Sequence, residues 1–245
     1  MIYSTKSLLG KKIQATNEDF GTCKDLYFDD ESFHIRYLVI DTGNWLPGRR
    51  VLLSPQSIDS VNMGDLRDGI PVTMTREQIE KSPPMDADKP VSRQAEERLH
   101  VYYGWQPYWL GDSASPLYAG VPPIPTNTPP AEMPPPSVEE GDPNLRSLRE
   151  VCGYSIRPAD SDSSGPLHDL LVDAANWTVK FAVVNTRPWF IGSHKVIPIN
   201  TVKYVDYDNS EIGCTYTKEQ IKGSPSEPSD THPISVDEEL KLQKS

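Results

Sequence analysis

Cysteine is scarce in this sequence, and its placement argues against a disulfide framework. The chain of 245 residues has three cysteines, Cys23, Cys152 and Cys214, which lie far apart. In an internal repeat described below, Cys23 corresponds to Leu167 and Cys214 corresponds to Val72. The counterpart of Cys152 is Lys11. An odd number of isolated thiols, two of them with apolar counterparts, is typical of reduced cysteines packed in a core. We therefore expect neither a disulfide nor a cysteine-bound metal.

Long apolar runs and blocks of basic residues are also missing. No stretch approaches the roughly 20 apolar residues of a membrane helix, and the N-terminus lacks the apolar run, about 7–15 residues long, of a secretory signal. With 24 Lys and Arg against 35 Asp and Glu, the formal net charge is −11. This charge repels a phosphate backbone, which proteins bind through basic side chains. We predict a cytoplasmic protein that has no transmembrane segment and does not bind nucleic acid directly.

The histidines and glycines form no pattern known from catalytic sites. The five histidines are scattered, without a pair at i, i+4 or a neighbouring cysteine pair, and no glycine-rich phosphate loop occurs. Asp160–Gly165 resembles the start of a calcium loop, but the position of the final carboxylate is occupied by Leu171. We interpret this segment as a polar turn, with calcium binding as the alternative. We predict no enzymatic activity, catalytic residue, metal or cofactor.

What the sequence does contain is a repeat. Gly21–Asp29 returns as Gly165–Asp173, and Phe33–Trp45 returns without a gap as Trp177–Trp189, each about 144 residues further along the chain. In both copies the second segment, Phe33–Trp45 or Trp177–Trp189, begins with aromatic and β-branched residues, which favour a buried strand. A short polar turn separates it from the earlier segment, so the spacing predicts a β-hairpin in each half. We infer a duplicated domain.

Further elements recur in the same order. Arg50–Ser54 and Lys195–Ile199 follow glycine and proline turns, which predicts another hairpin in each half. Thr75–Gln78 and Thr217–Gln220 have the spacing of capping boxes, in which the threonine and the glutamine cap the helix start reciprocally. Each predicts a short helix that ends before a Ser-Pro pair.

Proline marks the boundary between the two halves. It is so frequent from 107 to 143 that regular structure is not expected there. A longer helix is predicted at Ser92–Tyr103, with a fainter equivalent at Ser235–Lys244. The predicted organisation is a first domain over residues 1–106, a linker over 107–146 and a more divergent second domain over 147–245.

The segment Ile35–Leu46, preceded by Gly21–Asp29 and followed by Val51–Pro55, closely resembles the PRC-barrel family. The resemblance extends through Glu77–Ile79 to the helix that ends at Tyr102–Trp105. That family is named for the cytoplasmic domain of the photosynthetic reaction-centre H subunit. It also supplies the C-terminal domain of ribosome-maturation factors that bind a small-subunit ribosomal protein. The resemblance implies a mainly β fold with two tandem small barrels, each with a short helix and a C-terminal helix, joined by the proline-rich linker.

The second half departs from the family pattern. Arg36 is replaced by Lys180 and Asp41 by Asn185, and the closing Tyr-Tyr-Gly is absent. A surface recognised through Arg36 or Asp41 should therefore differ between the halves. The H subunit's membrane helix has no counterpart here.

Aromatic residues at the hairpin tips are candidate partner contacts. Trp45 and Trp189 occupy the same tip in both copies. We interpret them as plugs at a barrel end, with partner anchoring as the alternative, because Trp is enriched at binding hot spots. The candidate partner-binding residues are Arg36, Asp41, Trp45 and Trp189.

Four carboxylates surround the first hairpin, namely Asp25, Asp29, Asp30 and Asp41. Two of them recur, as Asp169 and Asp173. We predict that they cap turns and form surface ion pairs, such as one between Asp41 and Arg36. Acid/base chemistry or metal binding is the alternative reading of paired carboxylates.

The duplicated strand core, without a chemical constellation, favours a non-enzymatic adaptor that binds an unknown protein partner. The two barrels would pack against each other within the chain or be held apart, and a homodimer is a further possibility. The resemblance implies two alternatives, an accessory role in small-subunit ribosome assembly and an accessory role at a photosynthetic or electron-transport complex. The acidic surface fits a basic ribosomal protein better than RNA.

Overall fold

A computed structural model describes residues 1–46, 49–64, 66–86, 91–110, 144–161, 165–187 and 194–228. The described residues are mainly β. Most of the predicted linker, the predicted helix Ser235–Lys244 and the candidate residue Trp189 lie outside them. We call residues 1–110 the first half and residues 144–228 the second half.

The elements of the first half are, in order, β1 (Ile2–Ser4), α1 (Thr5–Leu8), β2 (Lys12–Gln14), β3 (Asp19–Asp29), β4 (Ile35–Asp41), β5 (Arg49–Leu53), β6 (Ile70–Pro71), α2 (Arg76–Glu80), β7 (Met85–Asp86) and α3 (Arg93–Tyr103). Those of the second half are β8 (Leu145–Ser147), α4 (Leu148–Val151), β9 (Ser155–Arg157), β10 (Gly165–Asp173), β11 (Thr178–Asn185), β12 (His194–Pro198), β13 (Val202–Asp206), β14 (Glu211–Cys214) and α5 (Lys218–Gly223).

Both predicted hairpins are confirmed in each half. In the first half β4 pairs antiparallel with β3 and with β5. In the second half β11 pairs antiparallel with β10 and with β12. Each first hairpin closes on a residue with positive φ, Phe33 or Trp177, whose N–H donates to the carbonyl of Asp29 or Asp173. The consecutive buried residues of β4 and β11 show that these strands are covered on both faces.

The predicted helix starts are also confirmed. Both capping boxes form, at the N-termini of α2 and α5. The helix α3 begins after its N-cap Ser92 and ends at Gly104, which has the left-handed conformation that favours glycine. In the part of the chain that the structure describes, no helix is long and apolar enough to cross a membrane.

The two sheets have the same core order of corresponding strands. The first runs β6-β2-β3-β4-β5 and the second runs β14-β9-β10-β11-β12. In each sheet the first of these pairs is parallel, with Ile13 opposite Ile70 and Ile156 opposite Ile212. Parallel neighbours require a long connection, and here that connection contains the other strands of the same half.

The first strand of each half lies in the sheet of the other half. β1 pairs antiparallel with the end of β10, and β8 pairs antiparallel with the end of β3. Between these two exchanged strands, the hairpin turns also meet, since the N–H of Ile35 donates to the carbonyl of Trp177 and the N–H of Val179 donates to that of Phe33. The two halves therefore exchange backbone hydrogen bonds reciprocally, both at their first strands and at their hairpin turns.

The expectation of closed barrels is wrong for the described residues, because their strand pairings leave both sheets open. The exchange gives a physical reason. The first part of β3 pairs with β2, and its last residues pair with β8 from the other half. β10 is divided in the same way between β9 and β1. In each half, part of the longest strand is therefore paired with the other half and is not available to a strand of its own half.

Exchange also places apolar side chains in the core. Ile2 and Tyr3 are almost completely buried. Although β1 lies in the sheet of the second half, the Tyr3 side chain contacts other residues of its own half, where its hydroxyl donates to the carbonyls of Met63 and Gly64 at 3.1 and 2.7 Å. The main cluster of buried residues contains side chains of both halves. Burial of one such side chain stabilises a fold by about 1.5–3 kcal/mol, so the exchanged strand contributes substantially to the stability of the fold.

Gly21 is needed at a bend in β3. It has a φ of 55°, and a Cβ there would lie 2.6 Å from the carbonyl oxygen of Asp41 and 2.8 Å from Cγ2 of Ile40. Gly10 also has positive φ, but a Cβ there would meet nothing within 4 Å. Replacing Gly10 by alanine therefore introduces backbone strain alone, whereas replacing Gly21 introduces both backbone strain and steric overlap.

Candidate functional site

Asp169 on β10 binds the N-terminus of the chain to the second sheet. Its carboxylate is 1% exposed and accepts hydrogen bonds from the hydroxyls of Ser4 and Thr5. The backbone N–H groups of Lys6 and Leu170 donate to the same carboxylate at 3.3 and 2.8 Å. A buried charge is tolerated only with such partners, so this cluster fixes the exchanged strand β1.

Asp25 on β3 makes the equivalent contacts with the first residues of the second half. Its carboxylate accepts from the Ser147 hydroxyl at 2.5 Å and from the backbone N–H groups of Arg149 and Leu26 at 3.2 and 2.8 Å. Asp25 is half-buried, whereas Asp169 is buried. The two recurring aspartates therefore have the same structural task in different solvent environments.

Asp29 and Asp173 cap the hairpin turns, as predicted. The carboxylate of Asp29 accepts from the backbone and hydroxyl of Ser32 at 2.8 and 2.7 Å, and that of Asp173 accepts from the backbone of Ala175 at 3.0 Å. Partial burial alone would raise the pKa of Asp29, but the Ser32 hydrogen bonds and the nearby Arg36 guanidinium outweigh burial and lower it. This carboxylate is therefore stabilised in its charged form.

Arg36 and Asp41 do not form the ion pair expected from the sequence. Arg36 lies 3.4 Å from Asp29, and its guanidinium stacks over the ring of Tyr108 at 3.8 Å. Asp41 lies 3.7 Å from Lys24. The reason is distance, because the two residues stand at opposite ends of β4 and a strand rises about 3.3 Å per residue. The side chain of Arg36 is 16% exposed, so it offers little surface to a partner.

Trp45 packs against the first half. Its ring meets Phe20 edge-on with centroids 5.8 Å apart, and the Arg76 guanidinium lies over it at 4.3 Å. Trp45 is half-buried, and the interpretation that it plugs a barrel end stays a prediction, since the sheets of the described residues are open. Its role in partner binding stays a prediction, and the equivalent residue Trp189 lies outside the described residues.

A buried polar cluster joins α3 to β4. The Tyr37 hydroxyl lies 2.9 Å from Nε2 of His100, and the carboxylate of Glu96, which has no exposed surface, accepts from the Tyr108 hydroxyl at 2.6 Å. Burial lowers the pKa of His100 to about 4, and burial together with Glu96 raises the pKa of Tyr37 well above its usual value. Both side chains are thus neutral at pH 7 and serve packing of the helix on the sheet.

The second half brings together three side chains that the sequence analysis treated as unrelated. The rings of His168 and His194 stack with centroids 3.6 Å apart, and Nδ1 of His194 lies 2.7 Å from a carboxylate oxygen of Glu227. Burial, followed by the charges of Lys6 and the neighbouring His194, lowers the pKa of His168 to about 4. These residues lie 26 and 33 positions apart in the sequence, so their spacing gave no signal.

The β13–β14 hairpin distinguishes the second half from the first. In the second half β13 forms a four-pair ladder with β14, whereas at the corresponding place in the first half a single bridge joins Ile58 to Val72. Among the described strands, β13 ends the sheet and has β14 as its neighbour. Its Tyr204 is 46% exposed. We call Val202–Asp206 the β13 edge.

The exposed tyrosine of the β13 edge is held in place. Its ring lies over Gly213, where a Cβ would come within 2.1 Å of the ring, and its hydroxyl donates to Glu211 at 2.8 Å. An aromatic ring over a strand glycine is a known stabilising arrangement in sheets. The tyrosine therefore presents a positioned apolar face next to an unpaired strand edge.

Residues 2–70 match the family described as the PRC-barrel domain. This supports the resemblance seen in the sequence for the first of the two repeated segments. The matched range contains β1–β5, including the exchanged strand β1. A search of curated proteins found no match to the chain.

Proposed function

We propose that this protein is a non-enzymatic protein-binding adaptor built from two PRC-like units that arose by tandem duplication. Three observations support the proposal: the PRC-barrel match over residues 2–70, the same core strand order in both sheets and the reciprocal exchange of β1 and β8. The aspartates that recur between the halves bind the exchanged segments. In this proposal they are retained for assembly of the fold.

The β13 edge carries the binding part of the proposal. An edge strand presents a row of backbone N–H and C=O groups, and an extended peptide of another protein can add to it as a further strand. The exposed fraction of Tyr204 supplies an anchor next to that row, and tyrosine is enriched among residues that dominate binding energy. The adaptor therefore binds an extended segment of its partner along the β13 edge.

Charge indicates the chemistry of that segment. The chain has a formal net charge of −11. The β13 edge contains the exposed Lys203 as well as Asp206, and the exposed hairpin turn beyond it contains Asp208. Opposite charge on a partner speeds association and selects among competitors. A basic segment with an apolar residue opposite Tyr204 fits this surface best.

Site-specific photo-crosslinking in living cells tests the proposal. A photoreactive phenylalanine analogue at Tyr204 should crosslink to a defined protein, whereas the same analogue at Val61 should not. Val61 is 90% exposed and lies in the first half at the position that corresponds to Val205 of β13, so it is a matched control. Purified Tyr204→Ser should bind the identified partner about tenfold more weakly or worse, while Val61→Ser should bind like the parent.

The identity of the partner separates the adaptor from its alternatives. A small-subunit ribosomal protein crosslinked at Tyr204 would support the role in ribosome assembly, and a subunit of a membrane electron-transport complex would support the other alternative. Equal crosslinking from Tyr204 and Val61, or partner binding unchanged in Tyr204→Ser, would contradict binding at the β13 edge.

A further inference from the structure

The cluster of His168, His194 and Glu227 has the composition of a metal site. In the described part of the chain, the potential ligand atoms of these three side chains all lie within 4.8 Å of one another. Two imidazoles and one carboxylate form the donor set found in zinc sites that retain an open coordination position. Imidazole ligands also suit copper and nickel. This arrangement is independent of the proposed binding at the β13 edge.

Backbone pairing fixes two of the three side chains relative to each other. The N–H of Glu227 donates to the carbonyl of His194 at 3.0 Å, and the N–H of Val196 donates to that of Pro225 at 2.9 Å. The segment that contains Glu227 therefore runs along β12 like an additional short strand. The side chains of His194 and Glu227 are 23% and 21% exposed, so an ion can reach them from solvent.

The third side chain is directed to the cluster by an irregularity in β10. The register between β10 and β11 shifts between Leu167 and Asp169, which leaves His168 at a β-bulge. Bulges turn side chains away from the regular alternation and are common next to functional sites. The following residue, Asp169, is held by Ser4 and Thr5, so the bulge has a rigid base.

We propose that His168, His194 and Glu227 bind one divalent transition-metal ion, with Zn²⁺ as the preferred ion. Zn–N and Zn–O bonds of about 2.0–2.2 Å place ligand atoms of a tetrahedral site about 3.3 Å apart. In the structure the potential ligand atoms lie up to 4.8 Å apart, so they must move closer together to bind the ion. Rotation of the two imidazoles and of the Glu227 side chain brings them to that distance. Water or a donor from another molecule occupies the remaining position.

Two basic side chains near the cluster disfavour the binding of a cation. The Lys6 ammonium lies 3.0 and 2.9 Å from the two ring nitrogens of His168, and Arg187 adds a weaker field. Lys6 is exposed and has a flexible side chain, so it moves into solvent when an ion enters. Replacing Lys6 by an uncharged residue should therefore strengthen metal binding.

The corresponding place in the first half has different chemistry. Alignment of the repeated segments places Lys24 opposite His168. The registers of β5 with β4 and of β12 with β11 place Arg50 at the position of His194, and the pairing of Arg50 with Met85 places Met85 at the position of Glu227. The first half thus has two basic residues where the second half has two imidazoles. Metal binding is consequently predicted for the second half alone.

Zinc titration of the full chain tests the site, with affinity measured by competition against a chromophoric chelator. One Zn²⁺ should bind per chain, and binding should shift the imidazole NMR signals of His168 and His194. His168→Gln and His194→Gln should each weaken binding by about tenfold or more, and Glu227→Gln should weaken it less. Lys6→Met should tighten binding by about threefold or more, since it removes a nearby positive charge.

His34→Gln is the control, because it removes a histidine that lies outside the cluster. It should leave zinc affinity unchanged. Circular dichroism should show that all variants keep the parent fold. The proposal is overturned if about 1 mM zinc sulfate does not bind, if His168→Gln and His194→Gln bind zinc like the parent, or if His34→Gln weakens binding as much as they do.

Discussion

Replacing Asp169 by alanine should destabilise the whole chain, because it removes the acceptor that holds the exchanged N-terminal strand. Four donors meet this carboxylate, the hydroxyls of Ser4 and Thr5 and the backbone N–H groups of Lys6 and Leu170. The two residues that supply the hydroxyls are 3% and 0% exposed. Water therefore cannot easily replace the lost acceptor.

The size of the effect follows from the number of donors left without a partner. A buried donor without an acceptor costs about 1–3 kcal/mol. The two hydroxyls can rotate towards other acceptors, so we expect a total loss of about 3–5 kcal/mol in the free energy of unfolding for Asp169→Ala. The corresponding change Asp25→Ala should cost about 1–2 kcal/mol, because Asp25 is half-buried and water can reach its partners.

Urea denaturation of both variants and the parent provides the comparison. Hydrogen exchange measured on the same samples should show faster exchange at residues 2–6 in Asp169→Ala, since β1 would open before the rest of the sheet. Asp169→Asn should lie between the parent and the alanine variant, because its amide oxygen still accepts but its NH₂ group faces a hydroxyl. Equal destabilisation by Asp169→Ala and Asp25→Ala would refute the reasoning from burial.

Three further predictions concern the backbone, pH and thiol reactivity. Gly21→Ala should lower the free energy of unfolding by more than about 2 kcal/mol, and Gly10→Ala should lower it by about 1 kcal/mol. Strain at positive φ acts at both positions, but steric overlap of the new Cβ acts only at residue 21. Thermal or urea unfolding measures both changes, and equal losses would contradict the prediction. The pKa of His100 is about 4 in the folded chain and lies below its value in the unfolded chain, so the stabilisation is fully present above pH ~6.5 and falls by about 3 kcal/mol as the pH approaches 4. The free energy of unfolding of His100→Gln, measured against pH, should lack this part of the pH dependence. An unchanged pH dependence in His100→Gln would contradict the assignment to His100. The buried thiol of Cys23, whose pKa burial raises to about 12, should react with an aromatic disulfide reagent at pH 8 only after unfolding, and rapid labelling of Cys23 in the native chain would contradict its burial.

Local patterns in the sequence were sufficient to predict the central hairpins and the capped helices. The aromatic and β-branched content of Ile35–Asp41, the polar turn before it and the Thr-x-x-Gln spacing each describe a few neighbouring residues. Their structures form because those neighbours contact one another directly, through hairpin pairing or reciprocal helix capping. These predictions therefore needed no knowledge of the rest of the chain.

The exchange of first strands could not be predicted in this way. β1 and β8 have three residues each, and both end in a serine that caps a helix. Either serine is chemically able to bind Asp25 or Asp169. Only the packing of the two halves decides which aspartate each serine reaches. The open sheets, where closed barrels had been expected, are likewise a property of the tertiary structure.

The candidate metal site and the β13 edge depended on tertiary structure as well. His168, His194 and Glu227 come from three separate strand segments, and a bulge in β10 together with pairing along β12 brings them into contact. By itself the sequence determined the central hairpins and the capped helices of both halves, since those elements depend on adjacent residues. Tertiary structure decided which strand edge is filled from the other half, which edge stays exposed and which distant side chains meet, because these depend on how segments far apart in the chain pack in three dimensions.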